Sequence, residues 1–455
     1  MHFMPFLLKP SFWEAIFTLA GKRHLISDPR DNDLDVTNRT WLFCIAGVCL
    51  GAAVPALILG KAAMAPLFGF GVLCAGIGLI RSSERGADRA RIWAGLTTPL
   101  AWAAYVFIGC LLLSAALSEH SGKALAIPVR VALTLGAGYL CFQLFLRSPL
   151  ALALACKTVV ATGIIALSIV VFSQYLPNAS DALRGYLGLS TPFDAPRAYK
   201  MFASATICLL PIMIWGGRRL GSVWMGLGLA ALPLTALVIY GNGEETSQSA
   251  ISGVLGGSLL LVLVLIGLRL QSGQRRALIA GVVLLAMAVG AYILTHVPSP
   301  PVVEHQTPGL PLPDWHRQVI WGFTLDVFLN NPLLGVGPNT VNMVPGASEI
   351  VPGLNQEYIP AHPHNFVLEI ASESGIVGLS ALVTVLVILL KMLFQIAASG
   401  SSVANRSHPA AYAGIFLMGA FWTSSLSNFS IWSAWWLASF VLLISIPLAA
   451  ARSRD

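Results

Sequence analysis

Charged residues are scarce in this sequence: Asp, Glu, Lys and Arg make up 10% of its 455 residues. Soluble domains carry roughly 25%. A chain with so little charge cannot cover a water-facing surface, which excludes an ordinary soluble protein. Hydrophobic residues make up 56%, so we expect lipid to be the solvent over most of its area.

Disulfide and redox motifs are also missing. The seven cysteines all fall in or beside apolar runs, and no two form a CxxC pair. They are Cys44, Cys49, Cys74, Cys110, Cys141, Cys156 and Cys208. This pattern argues against a disulfide framework, and we interpret the cysteines as small buried residues.

Nucleotide-binding and nucleic-acid-binding signals are absent as well. No P-loop or dinucleotide fingerprint occurs, so any chemistry must be driven by the substrate itself or by an ion gradient. The net charge of +7 comes from basic residues at the ends of apolar runs rather than from one patch. We therefore predict no nucleic-acid partner.

What the sequence does contain is a series of apolar runs long enough to cross a bilayer, about 20 residues each. We predict an all-α integral membrane protein with about twelve transmembrane helices and one long periplasmic loop containing short helices. The predicted spans are 41–60, 62–80, 93–117, 130–146, 151–175, 201–216, 221–240, 250–268, 277–296, 375–396, 409–427 and 431–450.

Five regions follow from these spans. We expect residues 1–40 to be a cytoplasmic segment without a cleavable signal peptide, and residues 41–296 to hold nine spans. Residues 297–365 form the large loop that carries the candidate site, residues 366–450 hold three more spans, and residues 451–455 form a cytoplasmic tail.

Lys and Arg are unevenly divided between the two ends of the spans. With the N-terminus inside, nineteen of the 27 lie on cytoplasmic segments and Lys157 lies within a span. The seven outside are Lys61, Lys123, Arg130, Arg184, Arg197, Lys200 and Arg317. This bias follows the positive-inside rule, and it predicts cytoplasmic termini and a periplasmic loop.

The long loop begins with a proline-rich stretch, which should run extended. Asp314 is a suitable N-cap for a helix from Trp315 to about Asn330. Apolar residues recur on that helix at helical spacing, so we expect it to lie on or dip into the membrane interface. Asn331-Pro332 ends it, and a glycine turn follows.

The loop closes at Ala361-His362-Pro363-His364, where a second helix should start. Asn365, Glu369 and Glu373 recur every four residues and should line one stripe. Carboxylates this close to lipid are costly unless they face a polar cavity. The His-Pro-His sequence offers two metal ligands, but no cysteine or tight Asp/His cluster supports a metal site. A helix-start hydrogen bond is an alternative role for His364.

An ordered set of short motifs runs from Trp315 to Leu379. Trp315 and Arg317 come first, "NPLLGVGPN" follows at 331–339, then "HNFVLE" at 364–369 and "ESGIVGL" at 373–379. Together these resemble the signature of the O-antigen ligase and O-antigen polymerase family. The motifs cover about 65 residues, and the predicted span layout extends the likeness to the whole chain.

The resemblance implies a GT-C-like membrane glycosyltransferase in the bacterial inner membrane. Such an enzyme passes a glycan from undecaprenyl diphosphate to an acceptor on the periplasmic face. In ligases the acceptor is lipid A-core, and in polymerases it is a second lipid-linked glycan. The resemblance implies no metal and no cofactor, and direct displacement of the diphosphate would invert the anomeric configuration.

The family pattern also suggests roles for individual residues. Arg317 matches a loop arginine, and a planar guanidinium suits a diphosphate; its alternative role is a surface charge paired with Asp314. His364 matches a family histidine that could act as the base. Trp315, Asn365 and Glu369 are candidate substrate-binding residues.

One departure from the family concerns a Ser-Arg pair, which is Ser247-Gln248 here. Glutamine cannot supply the positive charge, so we expect Arg197 or Lys200 to replace it, or Gln248 to hold the donor differently. Arg197 could instead be a membrane anchor. Glu244 and Glu245 are expected to be solvated.

Other functions stay open at this point. Within the family, the alternatives to a ligase are an O-antigen or exopolysaccharide polymerase and a protein O-oligosaccharyltransferase. A polysaccharide transporter or flippase would place charge near the membrane centre and show inverted repeats, neither of which is evident. A non-catalytic scaffold is a further alternative.

Overall fold

A computed structural model describes residues 33–81, 85–187, 196–241, 247–303, 306–399 and 408–452. Within these ranges the protein is built from helices, and the only β-pairing is an isolated bridge between Ile350 and Glu357. The all-α fold class is therefore confirmed for the described residues.

Among the connections that the structure describes, those before Trp315 and after Asn330 are long, and most of the others are short. Apart from a four-residue helix, Ser121–Ala124, the α-helices are in chain order α1 (Asp33–Ala53), α2 (Lys61–Ile80), α3 (Arg85–Leu96), α4 (Pro99–Leu117), α5 (Ala126–Arg147), α6 (Pro149–Tyr175), α7 (Pro177–Leu187), α8 (Pro196–Leu220), α9 (Ser222–Tyr240), α10 (Gln248–Arg269), α11 (Ser272–His296), α12 (Trp315–Asn330), α13 (Phe366–Ala398), α14 (His408–Ser424) and α15 (Ala434–Arg452).

Ten helices in the described part of the chain are long and apolar enough to cross a membrane. They match ten of the twelve predicted spans. The span predicted at 41–60 is instead α1 followed by a 3₁₀ helix, Pro55–Leu59. Proline lacks the N–H that would continue the α-helix. The span predicted at 409–427 is α14, with 17 residues. The count of twelve is thus not confirmed.

The helix connections alternate between two ends of the bundle, and the long loop lies at one of them. There the Ser118 hydroxyl donates to the carbonyl of Val336 at 2.6 Å. The N–H of Phe366 donates to the carbonyl of Ser425 at 3.1 Å. We call this the loop end. The turns after α4, after α14 and around the long loop all meet here.

Helices α8 and α15 form the centre of the bundle. Over their most apolar windows, 89% and 83% of the residues are buried. Helix α11 is the opposite case, since none of its residues is buried. The site at the loop end is therefore supported by the buried helices α8 and α15. Helix α11, which leads into the long loop, lies outside this centre.

Helix α12 has the bounds predicted from its capping residue. The Asp314 side chain accepts a hydrogen bond from the N–H of Arg317 at 3.1 Å. Its apolar residues Val319, Phe323 and Val327 are buried against other residues of the loop. The expectation that this face meets the membrane interface is therefore wrong, because the loop has enough apolar residues to cover it.

Candidate active site

The two halves of the sequence motif are joined by main-chain hydrogen bonds. The N–H of Val336 donates to the carbonyl of Ser372 at 3.0 Å, and the N–H of Gly337 donates to the carbonyl of Glu373 at 2.9 Å. The turn after α12 thus docks along the first turns of α13, so residues distant in sequence form one structure.

Two glycines make this approach possible. Gly375 has a φ of 65° and interrupts α13, while Gly335 has a φ of 66°. A Cβ atom on Gly335 would lie 2.3 Å from the carbonyl carbon of Glu373. Only glycine adopts such a conformation without steric cost, so the docking depends on these positions.

Glu373 is buried at this junction and holds three segments together. Its carboxylate accepts hydrogen bonds from the N–H of Asn339 at 2.6 Å and the N–H of Val341 at 3.3 Å. It also accepts one from the indole N–H of Trp432. A buried carboxylate needs such donors, and here they come from the motif turn and from the segment between α14 and α15.

Glu369 and Asn365 lie on the same stripe of α13, as predicted. The Glu369 carboxylate is buried and accepts hydrogen bonds from the Ser430 hydroxyl at 2.5 Å and the N–H of Ile431 at 2.9 Å. The Asn365 side chain caps the helix by accepting from the N–H of Val367 at 3.0 Å. The stripe thus faces polar protein groups.

We call Ser425–Ser433, the segment between α14 and α15, the serine loop. It contributes Ser430, Ile431 and Trp432 to these bonds, and it was missed in the sequence because the spans 409–427 and 431–450 nearly cover it. The signal was the run "TSSLSNFSIWS", whose hydroxyl and amide side chains are unusual within a span.

His364 lies beside the serine loop. Its Nδ1 is 2.9 Å from the carbonyl oxygen of Asn428. A carbonyl can only accept, so Nδ1 carries the proton and Nε2 keeps its lone pair. Burial lowers the pKa of His364, and the Arg317 charge adds to the shift, against the opposing effects of the Asn428 bond and Asp314. The ring is therefore neutral near pH 7 and able to accept a proton at Nε2.

The ring of His362 packs on that of His364, with 4.1 Å between the ring centroids. Burial lowers the pKa of His362 to about 3, with smaller contributions from His364, Arg317 and Lys61, against the opposing effect of the Asn428 backbone. Among the described residues, no three His, Cys, Asp or Glu side chains are grouped so that they could hold a metal ion. The histidine pair is therefore a neutral surface beside two cations.

Arg317 lies at the start of α12, and its Nε is 3.4 Å from the Asp314 carboxylate. The pairing considered as its alternative role is thus present, but the side chain stays partly exposed and its charge acts on both histidines. Lys61 begins α2, so the two cations near the histidine pair, Lys61 and Arg317, are far apart in the sequence.

The remaining predicted residues are distributed around the loop end. Trp315 is half-buried against the apolar cluster of the loop. Lys200 is exposed, one helical turn before Ser204. Gln248 is exposed at the start of α10. The side chain of Arg197, together with Glu244 and Glu245, lies outside the described residues.

An apolar cavity of about 790 Å³ adjoins the serine loop. Helices α4, α5, α13 and α15 line most of it. Ile431 and Trp432 close it at the loop end, and Lys391 and Arg452 lie at the other end. The cavity therefore follows the membrane-crossing direction and ends next to the residue that donates to Glu373.

Comparison with known proteins gives a family match over part of this site. Residues 245–383 match the family described as O-antigen ligase. A Rickettsia conorii protein named "putative polysaccharide ligase" is 29% identical over 132 residues, and a Rickettsia bellii protein of the same name is 26% identical over 132 residues. Each match covers 28% of this chain and 30% of the relative's length. The resemblance seen in the motifs is confirmed over the segment that holds Arg317 and His364.

Proposed function

We propose that this protein is a membrane glycosyltransferase that moves a glycan from undecaprenyl diphosphate to an acceptor sugar, acting as an O-antigen ligase with lipid A-core as acceptor. The observation that carries the proposal is the set of contacts around His364. Its Nδ1 is bonded to the Asn428 carbonyl, its Nε2 is left able to accept a proton, and the Arg317 charge lies near it.

The donor's diphosphate is the leaving group in this reaction. Arg317 holds it, because a guanidinium fork matches phosphate oxygens in geometry and charge. The Asp314 carboxylate orients the arginine from the other side. Arg197 and Lys200 are candidates for the second cation that glutamine at position 248 cannot supply.

The transfer itself needs one proton acceptor. His364 Nε2 takes the proton of the acceptor hydroxyl as its oxygen attacks the anomeric carbon. The bond from that carbon to the diphosphate breaks, and the diphosphate leaves with the electron pair. A single displacement of this kind inverts the anomeric configuration, and none of its steps requires a metal ion or a cofactor.

Trp315, Asn365 and Glu369 were expected to touch substrate. The hydrogen bonds of Asn365 and Glu369 to protein groups support a framework role for these two, which keep His364 and the serine loop in place. Trp315 offers its partly exposed ring to the glycan at the start of α12.

The apolar cavity supports a lipid-linked donor. Its lining suits a polyprenyl chain, and it ends at Trp432, beside the candidate site. A chain bound there would present its diphosphate at the loop end.

The proposed location is the bacterial inner membrane, with the loop end in the periplasm and both termini in the cytoplasm. The charge bias supports it, because Arg147, Arg218, Arg219 and Arg269 all lie at the end opposite the loop. Cytoplasmic ends of membrane helices are enriched in such residues.

The test is a deletion strain complemented with the wild-type protein, His364→Ala or Arg317→Ala, with equal amounts of protein in the membrane. We expect the wild type alone to restore surface glycan. Loss of a ligase leaves long lipid-linked chains, whereas loss of a polymerase leaves single repeats capped on the acceptor. Full glycan from both variants contradicts the proposal, and ion-coupled uptake by glycan-free proteoliposomes would indicate a transporter.

A further inference from the structure

We infer that Asn428 is the positioning residue of the proposed base, and that a hydrogen-bonded chain from Ser204 through Asn428 sets the orientation of His364. The inference rests on the proposed function, because it assigns the group that fixes the base of that reaction. Its evidence is a set of contacts between three parts of the chain that are far apart in sequence.

The first contact is the bond between Nδ1 of His364 and the carbonyl of Asn428 at 2.9 Å. A histidine base works only if the ring nitrogen that faces the substrate lacks a proton. The carbonyl imposes that tautomer by accepting the Nδ1 proton. Nε2 is then the only ring nitrogen able to act as a base.

The backbone of His364 does not hold the ring in place by itself. Its φ is 55°, a left-handed conformation that is unfavourable for a residue with a Cβ. Such a conformation persists only where the surroundings hold it. The Asn428 carbonyl is the group in the described structure that bonds to this ring.

The position of the Asn428 carbonyl depends on how firmly Asn428 itself is held. The Asn428 side chain is buried, and its Nδ2 donates to the Ser204 hydroxyl at 2.7 Å and to the Ser424 hydroxyl at 3.1 Å. Both amide hydrogens are therefore used. Ser204 lies in α8, the most buried membrane-crossing helix, so the serine loop is anchored to the centre of the bundle.

The downstream side of the serine loop is fixed as well. The Glu369 carboxylate accepts from Ser430 and Ile431. Since Glu369 lies on α13, just after His364 in sequence, the loop and the base share one support. Asn428 is thus held by its own bonds to Ser204 and Ser424 and by the bonds of Ser430 and Ile431 to Glu369. A small movement of Asn428 would break the contact between its carbonyl and Nδ1 of His364.

The pH dependence of transfer separates this role from simple packing. The Asn428 bond raises the pKa of His364, so its loss should lower that pKa further. Arg317, Lys61, Asp314, His316 and His362 also act on the two rings, and a substitution at Asn428 leaves these groups in place. A residue needed only for folding would reduce the amount of protein without moving the profile.

The experiment measures kcat, KM and the pH profile of purified protein in lipid nanodiscs, with a lipid-linked glycan donor and an acceptor glycolipid. Asn428→Ala and Ser204→Ala are the test variants, and Ser427→Ala is the control, since that neighbouring side chain makes no bond in the described structure. Ser204→Ala is the milder change, and it provides the same test if Asn428→Ala does not fold.

We expect each test variant to lower kcat by roughly tenfold or more at unchanged KM, within the range a general base contributes. The acid limb of the pH profile should move to lower pH, and the double variant should be no worse than Asn428→Ala, since both act through one chain. Labelled-histidine NMR should show less Nδ1–H tautomer in the variants, whether or not transfer occurs.

Unchanged kcat, pH profile and tautomer in both variants, with His364→Ala inactive, would overturn this inference and leave the proposed function standing. Full transfer by His364→Ala would overturn both.

Discussion

Gly375 lies so close to Leu333 that a Cβ atom built on the glycine would be 2.0 Å from the leucine carbonyl oxygen. The approach allows the N–H of Ile376 to donate to the carbonyl of Pro332 at 2.8 Å. The break in α13 is therefore filled by main chain from the motif turn. The candidate site depends on this junction because His364 and the turn are held by the same helix.

Gly375→Ala should destabilise the protein. The added methyl group meets backbone that cannot move aside, and the positive φ alone costs roughly 1–2 kcal/mol. Thermal unfolding in detergent should show a lower midpoint. Gly290→Ala is the matched control, since its Cβ would meet nothing within 4 Å in a membrane helix. Equal midpoints for the two variants would contradict the assigned role of the junction.

Transfer should persist at mildly acidic pH. The pKa of His364 is lowered from its usual 6.5. The ring therefore stays neutral somewhat below pH 6.5 and can still act as a base there. It becomes protonated, and stops acting as a base, only when the pH falls through the lowered pKa. A profile of kcat against pH should place the acid limb below 6.5. An acid limb above that value would show that His364 is not the titrating base.

Arg317→Ala should raise the acid limb as well as weaken the enzyme. Removing the positive charge removes one cause of the lowered pKa of His364, so that pKa rises toward 6.5. Arg317→Lys should keep the charge but lose the bidentate contact with the phosphate. We therefore expect weak donor binding and little change in the pH profile. Arg276→Ala, at the other end of the membrane, is the control. Residual transfer by Arg317→Ala with its acid limb at the wild-type pH would contradict this effect of Arg317 on His364.

Glu373→Gln should cost stability although it changes few atoms. The new amide group donates, while Asn339, Val341 and Trp432 all donate toward this position. Hydrogen bonds to a charged group contribute about 1.5–3 kcal/mol each. A comparison of unfolding midpoints with Glu349→Gln, a substitution of an exposed residue in the long loop, isolates the effect. Similar midpoints would show that Glu373 does not hold the junction.

The sequence was informative where local rules decide the structure. Helix α12 has its predicted bounds because Asp314 is a good cap and the apolar spacing is regular. The sequence also predicts a helix that starts after His364 and a tenth span from Gly375; the structure has a helix that begins at Phe366 and a break at Gly375. A glycine with positive φ cannot be distinguished from a helix boundary by composition.

The serine loop could not be predicted for a different reason. Hydropathy averages over a window, and Ile431 and Trp432 make the stretch look like part of a span. The bonds from Asn428 to Ser204 and to His364 join residues far apart in sequence. Such pairings depend on how the helices pack, which the pattern of any one helix does not contain.

Helix α11 has no buried residue, so we expect lipid to be its main packing partner. With 25 residues it is about 37 Å long at 1.5 Å per residue, and the bilayer hydrocarbon is roughly 30 Å thick. Such a helix fits by tilting, to a degree that membrane thickness sets. Val297 follows it directly and packs against Trp321 and Leu368. Membrane thickness therefore sets the height at which the chain enters the loop, which makes lipid composition a structural variable of the site.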